Sequence, residues 1–244
     1  MPIATTRPDT PKSSQQPTTP PNDHPEARSL TESAYLRLRR DIIEGRHAPG
    51  VKLRVEHLRE LYQVSAGTLR EALALLVSDS LVLNQAQRGF RVAPMSLDDL
   101  LDITRTRTLL ECEALKDSIR LGDDQWEARV VSSYHMLSRA EERLANNVAD
   151  AFSEWELRNQ AFHEALVSAS PSPWILRLRS LLYQQSRRYR WLSAVRTEVS
   201  NTVHEEHQAI FEAALRRDVE CAEQLLRKHL QLALSGICEK GLLR

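Results

Sequence analysis

Three histidines, His163, His207 and His229, stand in three separate stretches of helical apolar spacing in the second half of this chain. A neutral imidazole offers one ring nitrogen as a lone-pair donor. Three that converge in a bundle core can hold a divalent transition metal such as zinc or nickel. His207 and His229 fall on consecutive predicted helices, which their spacing makes adjacent and antiparallel. Asn159 lies four residues before His163 and so shares its helix face. A single histidine on a helix is more often a surface or hydrogen-bonded core residue, and nothing in the pattern sets His135 or His204 apart from that.

Arginine supplies the second kind of chemistry. Arg107 precedes Glu111 by one turn, so it either forks onto a ligand carboxylate or pairs with Glu111 in the fold. Arg188 and Arg190 are two residues apart on a predicted helix and point in different directions, so at most one faces a common cavity.

A third set lies in Ser65–Val92. There a short helix carrying Arg70 leads to two β-prone pieces, Leu81–Asn84 and Phe90–Val92, joined by the tip Gln85–Gly89. With another short helix at Arg54–Tyr62, this order reads as a winged helix-turn-helix. Such a unit presents the start of its second helix to base edges in the major groove. Here that start is Ser65, Ala66, Gly67, Thr68 and Arg70. Ser65 can cap the helix or bond a phosphate, and Arg70 can fork onto a guanine edge or a phosphate. Arg88 and Gly89 at the hairpin tip are placed to enter the neighbouring minor groove. The plainer reading of Arg70 is a surface arginine paired near Glu71.

These groups need elements to position them. The chain has 244 residues with 41% hydrophobic and 27% charged content and no net formal charge, which suits a globular protein with real cores. Residues 1–28 hold seven of the eleven prolines and almost no large apolar side chains, the composition of a disordered tail. From Ser29 to Met95 the ten Lys/Arg against seven Asp/Glu make a mildly basic winged helix-turn-helix domain. Residues 96–244 are acidic by about the same amount and read as helices throughout, with only three glycines. That is the pattern of an antiparallel all-helical bundle. The fold class is therefore mainly α. The three scattered cysteines read as core thiols of a reducing compartment, and no apolar run spans a bilayer, which places the chain in the cytoplasm, away from membranes.

The string TLREALALL…LVLNQAQRGFRV resembles the winged-helix domain of GntR-type bacterial transcription regulators, and the helical remainder resembles the FCD effector domain of the FadR branch. The resemblance covers nearly all of Thr31–Leu243. It implies a homodimer that binds operator DNA through Ser65, Thr68, Arg70 and Gly89. It also implies a repressor sensing a small carboxylate or dicarboxylate such as glutarate, with Arg107 toward the effector. Metal-binding members carry Asp-x-x-x-His followed by two later histidines, which His163, His207 and His229 match. Asn159 stands where Asp is usual: its amide oxygen can ligate but brings no charge. The site then is more cationic and open to an anionic effector, or has lost its metal. Ala66 and Gly67 also depart from the family, where Arg and a polar residue are common, so the operator need not be the usual one. Two other classes compete with this reading. A helical metal-dependent hydrolase would need a general base and a cleft, for which Glu164 and Glu206 are merely neighbouring helical residues. A pure dimerisation scaffold would leave the three matched histidines unexplained, and a regulator that binds its effector without metal is the remaining alternative.

Overall fold

A computed structural model describes residues 29–146, 148–196 and 202–243. The tail expected to be disordered, 1–28, lies outside the described residues. Among the described residues the chain forms nine helices and one small sheet.

The first unit packs α1 (Leu30–Ile43), α2 (Val55–Tyr62) and α3 (Ala66–Ser78) around Leu38, Leu58, Leu69, Leu73 and Leu76, all buried. The turn between α2 and α3 puts Gln63 in the left-handed region at φ 55°, which ends α2 and redirects the chain. The hairpin β2 (Val82–Gln85) and β3 (Gly89–Val92) follows, in register from Val82↔Val92 to Gln85↔Gly89. Its apolar ends seal the helices from below. A third strand, β1 (Lys52–Leu53), pairs with the outer edge of β3 and gives the order β1-β3-β2. Sequence reading placed β structure only in Leu81–Val92. Two residues are too short to display the alternation that marks a strand.

The second unit consists of α4 (Leu97–Leu121), α5 (Asp124–Asn146), α6 (Val148–Val167), α7 (Pro173–Arg196), α8 (Thr202–Leu215) and α9 (Val219–Glu239). Its core joins Leu115, Trp126, Leu137, Phe162, Leu166, Ile210 and Leu226 from five of these helices. Acidic or hydroxyl side chains cap the entries: Ser96 accepts from the Asp99 N–H at 3.1 Å and Asp218 from the Cys221 N–H at 3.1 Å. Ser96 and Asp99 do not close a reciprocal box. The Asp99 carboxylate instead accepts from the Tyr189 hydroxyl of α7 at 2.5 Å. No helix among the described residues is long and apolar enough to cross a membrane.

Candidate functional site

The helical bundle brings the three histidines together. One ring nitrogen from each of His163, His207 and His229 lies within 4.8 Å of the others, and His163 and His207 are fully buried. Helix α6 supplies His163, α8 supplies His207 and α9 supplies His229. His207 Nε2 and His229 Nε2 face each other at 3.1 Å. At their other nitrogens, His207 Nδ1 meets Glu141 at 2.5 Å and His229 Nδ1 meets Glu206 at 3.0 Å. His163 Nδ1 lies 3.4 Å from Glu111 Oε2 without forming a hydrogen bond. A carboxylate behind Nδ1 holds the proton there and turns the Nε2 lone pair inward, the arrangement usual behind metal-bound histidines.

Electrostatics favour a cation between these rings. Burial pushes the His163 imidazole well below its ordinary range, and burial with His207 alongside pushes His229 down to about 4. With the Nδ1 protons directed at Glu141 and Glu206, the two Nε2 lone pairs oppose one another across 3.1 Å, an arrangement that a bound cation relieves. Asn159 fits beside them. It is buried, its Nδ2 donates to the Tyr183 hydroxyl at 2.9 Å, and its Oδ1 has no partner among the described residues. These donors fit a divalent metal of the zinc or nickel type.

A cavity of about 310 Å³ opens beside this cluster, bordered by His163, His229 and Asn159 on one side and by Arg107, Ser186 and Arg190 on another. Of the two roles that its sequence spacing allowed, Arg107 takes the pair with Glu111, and it borders the cavity as well. It binds Glu111 Oε1 through Nε (2.9 Å) and Nη2 (2.7 Å), gives Nη1 to Ser186 at 2.8 Å, and still lines the cavity. Three of its five N–H donors cover those bonds, so two remain. Burial raises the Glu111 carboxyl, but Arg107, Arg179 and His163 against it hold it well below the usual carboxylate range. Arg190 also faces the cavity and is paired with Glu156, whereas Arg188 turns away toward the first unit.

Glu141, Glu206, Tyr183, Ser186 and Glu156 were not singled out as supporting groups in the sequence. Glu206 adjoins His207 in the chain yet serves His229 on the next helix. Glu141 is shared by His207 and by His204, at 2.7 Å from the latter, so His204 is tied to the cluster after all. Such cross-helix pairs leave no periodic signal. Only the Ser186–Arg190 spacing, one turn with a 2.5 Å bond, was open to reading.

On the winged unit, Ser65 is the N-cap of α3: its hydroxyl accepts from the Thr68 N–H at 3.1 Å and lies 2.9 Å from the Thr68 hydroxyl. Arg70 is exposed one turn further on. Glu71 is taken by Thr31 at 2.9 Å, and no ion pair joins Arg70 to it among the described residues. Arg88 and Gly89 are exposed at the hairpin tip. Gly89 sits at φ +80° with open space around it, so backbone conformation is what requires glycine there.

A winged helix joined to a helical bundle with a ligand-sized cavity defines a DNA-binding transcription regulator that responds to a ligand. Residues 30–92 match the family of bacterial regulatory proteins named gntR, and residues 102–232 match the FCD domain. The chain belongs to the GntR family, in its FCD-bearing group. It is 52% identical over 217 residues to the HTH-type transcriptional regulator BphR of Paraburkholderia xenovorans (strain LB400), covering 89% of each chain. It is 40% identical over 200 residues to the HTH-type transcriptional repressor GlaR of Escherichia coli (strain K12), covering 80% of this chain and 90% of GlaR. A solved GntR transcriptional regulator from Rhodococcus sp. RHA1 is 25% identical with a TM-score of 0.67, over 88% of this chain and 99% of that one. Escherichia coli McbR/YncC has a TM-score of 0.69 at 21% identity, over 88% of this chain and 100% of that one, a likeness of fold. The family, BphR and GlaR are transcription regulators, not enzymes, which sets aside the helical hydrolase.

Proposed function

We propose that this chain is a homodimeric repressor, working in the cytoplasm, whose hold on operator DNA is governed by a small carboxylate. Residues 29–95 form the DNA head and 96–244 the effector-binding and dimerising half. Ser65, Thr68 and Arg70 face the major groove, with Arg88 and Gly89 in the minor groove beside it. Asn159, His163, His207 and His229 would hold a zinc or nickel ion. When bound, that ion supplies a Lewis-acidic position for an effector carboxylate.

The reading rests above all on the buried imidazoles, two of them hydrogen-bonded at Nδ1 to a carboxylate, at the wall of a cavity that also exposes Arg107. The chain's own residues do the rest. Glu111 fixes Arg107 against the cavity wall, Ser186 bridges Arg107 and Arg190, and apolar Leu100, Trp155 and Leu230 exclude water around the ligand's chain. A cavity of about 310 Å³ at the lower end of ligand-site sizes matches a C4–C6 dicarboxylate such as glutarate. Similarity to GlaR, named a repressor, supports the repressor reading, with DNA released on effector binding as the proposed sense. An effector changes DNA affinity only by binding one arrangement of the two heads better than the other.

Thermal shifts across C4–C6 mono- and dicarboxylates, with and without chelator, test the reading. A dicarboxylate should raise the melting temperature of metal-loaded protein and lose that effect with chelator. If none does so, the carboxylate class is wrong. Metal content should fall in His207→Ala; equal content in the parent and the variant would remove the metal site.

A further inference from the structure

Helix α7 faces two ways. At 100° per residue, Tyr183, Ser186 and Arg190 fall within about 60° of one another, while Gln184, Gln185 and Arg188 fall on the opposite side. The first face belongs to the ligand site: the Tyr183 hydroxyl accepts from Asn159, and Ser186 and Arg190 line the cavity. The second face grips the DNA head. Gln184 accepts from Arg39 of α1, and the Gln185 side chain donates to the backbone carbonyl of Asp79, the C-cap of α3. Arg188 Nη2 donates to the carbonyl of Ala93, just past β3, at 2.7 Å.

Asp79 is a convergence point. Its carboxylate accepts from the Tyr35 hydroxyl at 2.5 Å and lies 3.8 Å from Arg39 Nε, so α1, α3 and α7 meet there. Arg188 is the more telling contact. It is 5% exposed, its Nε has no acceptor, and among the described residues no carboxylate pairs with it. A buried cation held by one backbone carbonyl, with the Asp99 carboxylate acting on it only from beyond pairing distance, is weakly compensated, so that contact is sensitive to how the two elements sit.

We infer that Gln185 and Arg188 carry occupancy of the cavity to the recognition helix. Ligand contacts at Ser186 and Arg190 turn or slide α7. Its far face then pulls the C-terminal end of α3 through Asp79 and the exit of β3 through Ala93. Helix α3 is about 20 Å long, so a tilt at Asp79 displaces the Ser65–Arg70 end. The inference rests on the ligand reading above but names residues that touch neither ligand nor DNA.

The test measures the affinity of full-length protein for a duplex that the parent protein selects from a random-sequence pool. Binding is read after chelation and again with zinc plus glutarate. Arg188→Ala should change the affinity of the chelated protein about fivefold or more and bring the ratio between the two conditions close to one. Its thermal shift with zinc plus glutarate should match the parent. Arg177→Ala, an exposed arginine on the same helix, should behave as the parent does. An Arg188→Ala protein within twofold of the parent in the chelated state, or keeping the parent's ratio, overturns the inference. A parent that ignores glutarate overturns the effector reading instead, while the chelated-state comparison still decides the role of Arg188. Should Arg188→Ala fail to fold, Gln185→Ala, which removes one donor to Asp79, is held to the same two criteria.

Discussion

In the proposed metal site, Asn159 sets how much charge the histidine cluster offers a cation. Its Oδ1 is buried and unpartnered, while its Nδ2 is committed to the Tyr183 hydroxyl. Asn159→Asp places a carboxylate at that position, and the Tyr183 hydroxyl can then donate to it. Zinc should bind roughly tenfold more tightly or better, since ligand charge raises cation affinity. Competition against a chromophoric chelator measures this, and unchanged or weaker binding would place Asn159 outside the ligand set. Glu111 carries the opposite burden. It is fully buried, with Arg107 Nη2 at 2.7 Å and Arg179 Nε at 3.7 Å from Oε1, and His163 Nδ1 at 3.4 Å from Oε2. Glu111→Gln leaves two buried guanidinium groups without their carboxylate. It should lower unfolding stability by about 3–5 kcal/mol, the usual loss when one partner of a buried pair is removed. A denaturant titration showing less than about 1 kcal/mol would mean that other groups neutralise those arginines.

At the scale of elements, the recognition helix and the wing are where the proposed DNA contacts lie, and each rests on one local device. Ser65 caps α3, and Gly89 at φ +80° lets β3 leave the hairpin turn. Gly89→Ala forces a side chain into the left-handed region. It should cost about 1–2 kcal/mol or distort the wing. DNA affinity should therefore fall while ligand-induced thermal shifts, which depend on the other half, stay as in the parent. Equal DNA binding by Gly89→Ala and the parent would remove the wing from the interface. The helices themselves were legible because 3.6-residue apolar periods are long and redundant, and the short helix expected to carry Arg70 is α3, Ala66–Ser78. Strand β1 was not legible, because two residues have no period. The groups behind the histidines were not legible either: Glu141 reaches His207 across 66 residues, and tertiary packing alone decides such a pairing. The two-residue spacing of Arg188 and Arg190 did foretell that they point apart, though not that Arg188 turns toward Ala93.

At the scale of the whole molecule, the described residues form two large and separate cores. One is built from Leu38, Leu69, Leu73 and their neighbours in the winged unit, the other from Trp126, Phe162, Leu166 and Ile210 in the bundle. Between them lie a small cluster around Leu100, Ile103, Tyr189 and Ile237 and the polar contacts of α7. The histidine cluster ties α6, α8 and α9, so a bound metal stabilises only the second core directly. Saturating zinc at about a hundred times its dissociation constant contributes about 2.7 kcal/mol to whatever unit holds it. In a unit of this size that corresponds to roughly 5–10 °C in melting temperature. Scanning calorimetry of metal-loaded protein should therefore show two transitions. Chelation should lower the one belonging to the bundle by that amount and leave the one belonging to the winged unit in place. His207→Ala should reproduce the chelated profile and be indifferent to added zinc. A single transition that moves as a whole would show that the α7 contacts fuse the two cores into one cooperative unit. Two transitions that chelation leaves untouched would mean that the three imidazoles hold no metal.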